Sequence, residues 1–197
     1  GTYSVAVGYQ AAKVSQGAYS VAVGVSAGLN SQGQSSVAIG WDAGLNSQAT
    51  NSVAIGYLAG VNSQSSYATA VGYNSGYNTQ GQFGTALGSW CGETNQGALA
   101  LAIGHASGRY NQGADSIAIG RYAGATNQAT GSIVISGDSA TLDNTTGGSF
   151  KIHPMRNING TAGIRMYRHS SAEITYGSDS SDDRLKINET LLTNATT

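Results

Sequence analysis

The stretch "SVAIG" occupies residues 36–40 and again 52–56, and close copies recur along the chain, among them "SVAVG" at 4–8 and "SIAIG" at 116–120. The glycines that close the copies are Gly8, Gly24, Gly40, Gly56, Gly72, Gly88, Gly104 and Gly120, each 16 residues from the next. A glutamine keeps the same interval: Gln16, Gln32, Gln48, Gln64, Gln80, Gln96, Gln112 and Gln128. Eight such periods without an insertion define a repeat protein, in which each short unit buries its apolar surface only by stacking on its neighbours.

The period translates into geometry. Within "SVAVG", Val5 and Val7 project to one face of a strand, and Ser4, Ala6 and Gly8 to the other. A second short segment, "AGLNSQG" in its commonest form, follows after two residues. Two short strands and two tight turns in sixteen residues make one turn of a β-solenoid, so the expected fold class is all-β, a parallel β-roll. Gly28, Gly44, Gly60, Gly76, Gly92, Gly108 and Gly124 recur at the first bend, where left-handed backbone is expected. No proline interrupts residues 1–136, so every amide can bond the next coil. At ~4.8 Å per coil, eight rises give roughly 38 Å.

Stacking places like on like. The glutamines are expected to form an axial amide ladder. The position between the two β-branched residues is Ala22, Ala38, Ala54, Ala70 and Ala86, as well as Ala6, Ala102 and Ala118. A water-facing strand favours larger or polar residues there, so the column predicts close approach on that face as well. The expectation is that Val and Ile point into the roll and that the alanine column forms the interface with further subunits. A thin roll with a small core points the same way.

Composition narrows the function classes. The 197 residues carry 9 Lys and Arg against 10 Asp and Glu, so no basic surface suggests nucleic acid. The apolar runs are far shorter than the ~20 residues a membrane helix needs. One cysteine, Cys91, excludes an intrachain disulfide and takes a position filled elsewhere by Ala27, Ala43, Ala59 and Ser75, which reads as a small packed side chain. His105, His153 and His169 lack metal-ligand spacing, so neither a metal nor a cofactor is expected. Asp42, Glu93 and Asp115 share no register, which argues against paired-carboxylate hydrolysis. Tyr9, Trp41, Tyr57 and Tyr73 each follow a strand glycine. Such a stripe can hold sugars or simply stack at a corner or a subunit seam.

The "S-[VI]-A-[VI]-G" strand resembles the head repeat of the YadA-like trimeric autotransporter adhesins. The resemblance covers roughly residues 1–136 and implies a left-handed parallel β-roll assembled as a homotrimer. Those repeats are commonly shorter than sixteen residues, so the turns are expected to differ. "ATAVG" and "GTALG" at 68–72 and 84–88 are looser copies, and "SIVIS" at 132–136 loses the glycine. That copy reads as the end of the array.

Beyond it the charge density rises: residues 1–136 hold six charged side chains, and the last 61 hold thirteen. Residues 137–149 read as a polar loop or linker. Phe150–Ile152, Gly163–Tyr167 and Ala172–Tyr176 read as strands, with "NG" at 159–160 as a hairpin signal. Residues 137–180 are therefore expected to form a β-rich trimeric stalk. "SDDRLK" at 181–186 resembles the start of the intramolecular chaperone of endosialidase-type phage tail spikes and viral fibres. The resemblance implies self-cleavage in a precursor between Ser181 and Asp182, with Ser181 and Lys186 as the reacting pair. Residues 181–197 then read as the truncated beginning of that chaperone.

Together these readings predict a structural trimeric fibre or spike on a virion surface, for host attachment or as a rigid spacer. The alternative is the head of a bacterial surface adhesin. Neither involves enzyme activity beyond the self-processing step, nucleic acid or membrane insertion. The partner outside the homotrimer is a host-surface glycan or protein receptor.

Overall fold

The computed structural model describes residues 1–154, 165–168 and 174–177, and the chain divides into two units, Gly1–Pro154 and Met155–Thr197. Every element among the described residues is a strand. In the first unit a parallel sheet takes one strand from each coil. Its members are Val5–Val7 (β1), Val21–Val23 (β2), Val37–Ile39 (β3), Val53–Ile55 (β4), Thr69–Val71 (β6), Thr85–Leu87 (β8), Leu101–Ile103 (β10), Ile117–Gly120 (β11), Ile133–Ser136 (β12) and Phe150–His153 (β13). A smaller parallel sheet, Asn62–Gln64 (β5), Asn78–Gln80 (β7) and Thr94–Gln96 (β9), forms a second side of the middle coils. Val37 pairs with Val53, Ala38 with Ala54 and Ile39 with Ile55, so residues 16 apart stack as the period demands. The fold is the parallel β-solenoid expected.

A coil this short turns by left-handed backbone. In residues 49–64 the positive φ values fall at Asn51 (59°), Gly56 (130°), Leu58 (56°), Gly60 (58°) and Ser63 (56°). Gly60 sits at the bend where the sequence predicts such a conformation. Asn51, Leu58 and Ser63 show that the coil also forces it on residues that ordinarily avoid it. The inter-coil amide ladder holds them there: Leu58 N–H donates to Trp41 O at 2.9 Å, and Asn51 N–H to Gln34 O at 2.9 Å.

The facing of the strands is the reverse of the expectation. Ala22, Ala38, Ala54, Ala70, Ala86, Ala102 and Ala118 are all 0% exposed within a single chain. With Ala27, Ala43 and Ala59 they form the interior of the roll. Val and Ile flank them on the outside, where Ile39 is 37% and Leu87 45% exposed. The reason is volume. A β-carbon built on Gly60 lies 3.1 Å from Ala54 Cβ and 2.9 Å from Gln64 Oε1, so the lumen already holds as much as it can with methyl groups and one amide. Branched side chains are too large for it in coils two to eight, and Val134 enters the interior only in the ninth. The alanine column is therefore sealed inside its own chain and is not the subunit interface.

The interior also admits one small polar side chain per coil. In coils two to four it is Ser20, Ser36 or Ser52, opposite Ala27, Ala43 or Ala59. In coils five to seven the pair is exchanged: Ala68 with Ser75, Gly84 with Cys91 and Ala100 with Ser107. Ser52 Oγ donates to Ala49 O at 2.6 Å, whereas Ser75 Oγ donates to Ala86 O at 2.8 Å. Ser52→Ala should therefore cost about 1 kcal/mol, and adding Ala59→Ser should recover most of it. Chemical denaturation of the two variants checks this.

The roll does not stop at residue 136. β12 pairs with β13 in parallel, Ile133 with Phe150 and Ile135 with Ile152. Asn144 takes the place of the next glutamine, buried, with its Nδ2 donating to Ser149 O at 3.2 Å. The stretch expected to be a linker thus contains a ninth return, and Phe150–His153, expected in the stalk, is the tenth strand of the roll. In the second unit Arg165–Arg168 (β14) pairs antiparallel with Ile174–Gly177 (β15), near the strands expected at Gly163–Tyr167 and Ala172–Tyr176. Ser181, Asp182 and Lys186 lie outside the described residues.

Candidate functional site

The outward face of the ten-stranded sheet is the dominant surface feature of the first unit. Two columns of side chains project from it. One runs from Val5 through Val37 and Val53, then Thr69 and Thr85, to Ile133 and Phe150; the other runs from Val7 through Ile39, Ile55 and Leu87 to Ile152. Neither column contains a charged residue at any of the ten levels. Ten strands ~4.8 Å apart and roughly 10 Å long present about 430 Å² before their borders are counted. This uncharged face, interrupted only by Thr69 and Thr85 in the first column, is the candidate association site.

Aromatic residues line both borders. On one side Tyr3 stacks on Tyr19 at 5.5 Å and Tyr67 on Phe83 at 4.9 Å. On the other, Trp41, Tyr57, Tyr73 and Trp90 form a run with centroid separations of 6.2, 5.4 and 5.2 Å. Tyr57 and Tyr73 lie within 6° of parallel, so each covers the ring face that a sugar would need. The stripe is thus a corner stack rather than an open platform, and Tyr9, beside Val25, stands apart from it. Arg109 ends the run. Its guanidinium lies 4.5 Å from the Trp90 ring and 4.7 Å from the Tyr110 ring, and its Nε donates to Glu93 Oε2 at 2.5 Å.

The glutamines do more than stack. Gln32 through Gln128 are buried, and each Nε2 reaches across the coil to the carbonyl of its own strand: Gln48 to Val37 O at 2.6 Å, Gln64 to Val53 O at 2.7 Å, Gln112 to Leu101 O at 2.9 Å. Gln16 makes the equivalent bond to Val5 O at 2.8 Å. The amide-to-amide ladder is present in three steps, Gln64 to Gln80, Gln80 to Gln96 and Gln96 to Gln112, at 3.0–3.1 Å. These are the levels where β5, β7 and β9 form a second sheet. Sequence reading missed a parallel ladder of asparagines, Asn30 to Asn46 to Asn62 to Asn78, although their 16-residue spacing was there to be found.

A shallow recess of about 270 Å³ opens beside the buried glutamines of coils three and four, lined by Ser31, Ser47, Gln48, Ala49, Ser63, Gln64 and Ser65. Among the described residues no three His, Cys, Asp or Glu side chains converge as a metal site would require. Cys91 is buried, with Sγ 2.8 Å from Ala102 O, and burial pushes its thiol up to about 11. At pH 8 it is therefore almost wholly protonated, and the thiolate is the reactive form. A maleimide should label it only after unfolding, which mass spectrometry with and without denaturant will show.

Comparison with protein families meets this geometry. The model of the YadA head domain repeat matches residues 1–27, 31–59 and 47–75. The coils within those segments are similar to the YadA head repeat. No curated protein and no solved structure matches the chain. The matched segments contain β1 to β6 and with them the first five levels of the outward columns, so the match falls on the first half of the apolar face.

Proposed function

We propose that the chain is an adhesin-like head, assembled as a parallel homotrimer through the outward sheet face and displayed at a surface as a stiff, receptor-presenting module. The observation that carries this is the pairing of an alanine interior with an uncovered Val and Ile exterior. A lumen filled with methyl groups buries little apolar area per coil, so a free roll would be weakly stabilised while exposing its largest aliphatic side chains. Association of three copies buries those columns, and the family of the matched repeats is typically trimeric. The role is structural, without catalysis in the roll. Light scattering on the full chain tests it: the expected mass is three times the 19.9 kDa of one chain, and a stable single-chain mass refutes it.

The surface is that of a bacterial cell or of a virion. The similarity to the YadA head repeat supports the cell surface. The virion reading rests on "SDDRLK" at 181–186, under which a longer precursor cuts between Ser181 and Asp182 and releases a chaperone after assembly. Release would leave the fibre kinetically trapped, because reassembly needs the lost segment. N-terminal sequencing of the fragment freed from such a precursor decides it: Asp182 first supports the fibre, and any other start removes the processing step.

A further inference from the structure

The apolar face creates a problem for a parallel homotrimer. Every level presents the same two outward positions, so three rolls can slide past one another by one coil, ~4.8 Å, and remain flush. Apolar contact alone distinguishes these registers poorly, because it is non-directional. Something must mark one level as different.

Two adjacent levels are different. Thr69 and Thr85 replace the aliphatic residues of the first column, with Val53 below them and Leu101 above. Both lie on the outward face, since Ala70 and Ala86 beside them point into the roll. We propose that Thr69 and Thr85 set the axial register of the homotrimer. The inference rests on the trimer reading. With three copies aligned, hydroxyls meet at two successive levels, and each can both donate and accept. With one copy shifted by a coil, Thr85 faces Leu101 and Val53 faces Thr69. Each mismatch leaves a desolvated hydroxyl against methyl groups, which is costly in a way that a Val against an Ile is not. The hydroxyl levels add little to attraction but penalise the wrong alignments, which is how closely similar associations are told apart.

The backbone at these levels is well fixed. Gln80 Nε2 donates to Thr69 O at 2.7 Å and Gln96 Nε2 to Thr85 O at 2.9 Å, and the same two glutamines belong to the continuous amide ladder. The hydroxyl-bearing strands are thus braced from inside the roll.

The test is self-sorting. Wild-type chain is co-expressed with a mass-tagged Val37→Thr/Thr85→Val variant, which keeps two threonines in the column but sets them two coils apart, so that no shift by whole coils matches them to the adjacent wild-type pair. Native mass spectrometry then counts the trimer species, with tagged and untagged wild type as the control for free mixing. Heterotrimers should be depleted about tenfold below binomial mixing, since no alignment satisfies every hydroxyl. Wild type paired with Thr69→Val/Thr85→Val should show the same depletion, and serves if the first variant does not fold. Binomial mixing in trimers overturns the register assignment and leaves the trimer intact. Single chains throughout overturn the trimer and the inference with it.

Discussion

Gly56→Ala should dismantle the middle of the roll. Gly56 has φ +130°, and a β-carbon added there lies 2.5 Å from the carbonyl oxygen and 2.8 Å from the carbonyl carbon of Gly72 in the next coil. Both obstacles are backbone, held by the ladder in which Gly72 N–H donates to Ile55 O at 2.8 Å. The clash cannot be relieved by a rotamer change, and the φ value is itself unfavourable for any residue with a side chain. The two effects together should exceed about 4 kcal/mol, at the extreme of single substitutions. Because coils contact only their neighbours, loss of one interface should uncouple the two halves. Hydrogen exchange should show the amides of coils four and five opening first. Gly148→Asn is the control: φ there is +62°, nothing lies within 4 Å of the added β-carbon, and Asn tolerates that conformation. Its melting temperature should hardly move.

The second large effect concerns assembly. Ile39→Glu/Ile55→Glu places carboxylates on two adjacent levels of the outward face, where the single chain already exposes Ile39 and half-exposes Ile55. The folded roll should tolerate them, since both side chains reach water when no partner covers them. In the trimer, six carboxylates are enclosed without counter-charges, at several kcal/mol for each ion. Sedimentation velocity should therefore find a folded single chain or an unfolded one, never a trimer. Circular dichroism separates those two cases. An intact trimer would move the interface elsewhere.

How much of this was readable beforehand depends on what each residue pattern constrains. Spacing is a property of the chain, so the 16-residue period, the parallel register and the left-handed bend glycines such as Gly60 followed directly from it. Alternation identifies two faces of a strand but does not say which is inside. The usual assumption that branched apolar residues face inward failed because the coil is too narrow for them. The clue lay in variation. The first outward column accepts Val, Thr, Leu, Ile and Phe, whereas the inward one stays at Ala from coil one to coil eight and admits Val134 only at the next. A strict volume limit on one face, and tolerance on the other, is the signature of a narrow lumen.

The glutamine column was legible as a pattern and only partly as a mechanism. Its uniformity suggested a ladder, yet the first requirement on Gln48 or Gln64 is reach across the coil to a strand carbonyl, a span shorter polar side chains cannot cover. The exchange of Ser and Ala between Ser52 and Ala59 in one coil and Ala68 and Ser75 in the next was written in the sequence but has no meaning until both positions are seen to share one interior. The extension to Pro154 was hidden by a step of 17 instead of 16 between Ile133 and Phe150, and by Asn144 standing where a glutamine was expected.

Carbene footprinting of the native full-length chain tests most directly which face the trimer covers. Val37, Ile39, Val53 and Ile55 lie on the surface of one roll, so a covered face should leave them nearly unlabelled in the native state and strongly labelled once the assembly is dissociated. Val14, which is 63% exposed and away from the sheet face, should be labelled in both. If the four sheet-face residues are labelled in the native protein as strongly as Val14, the outward face is free and the trimeric account is contradicted.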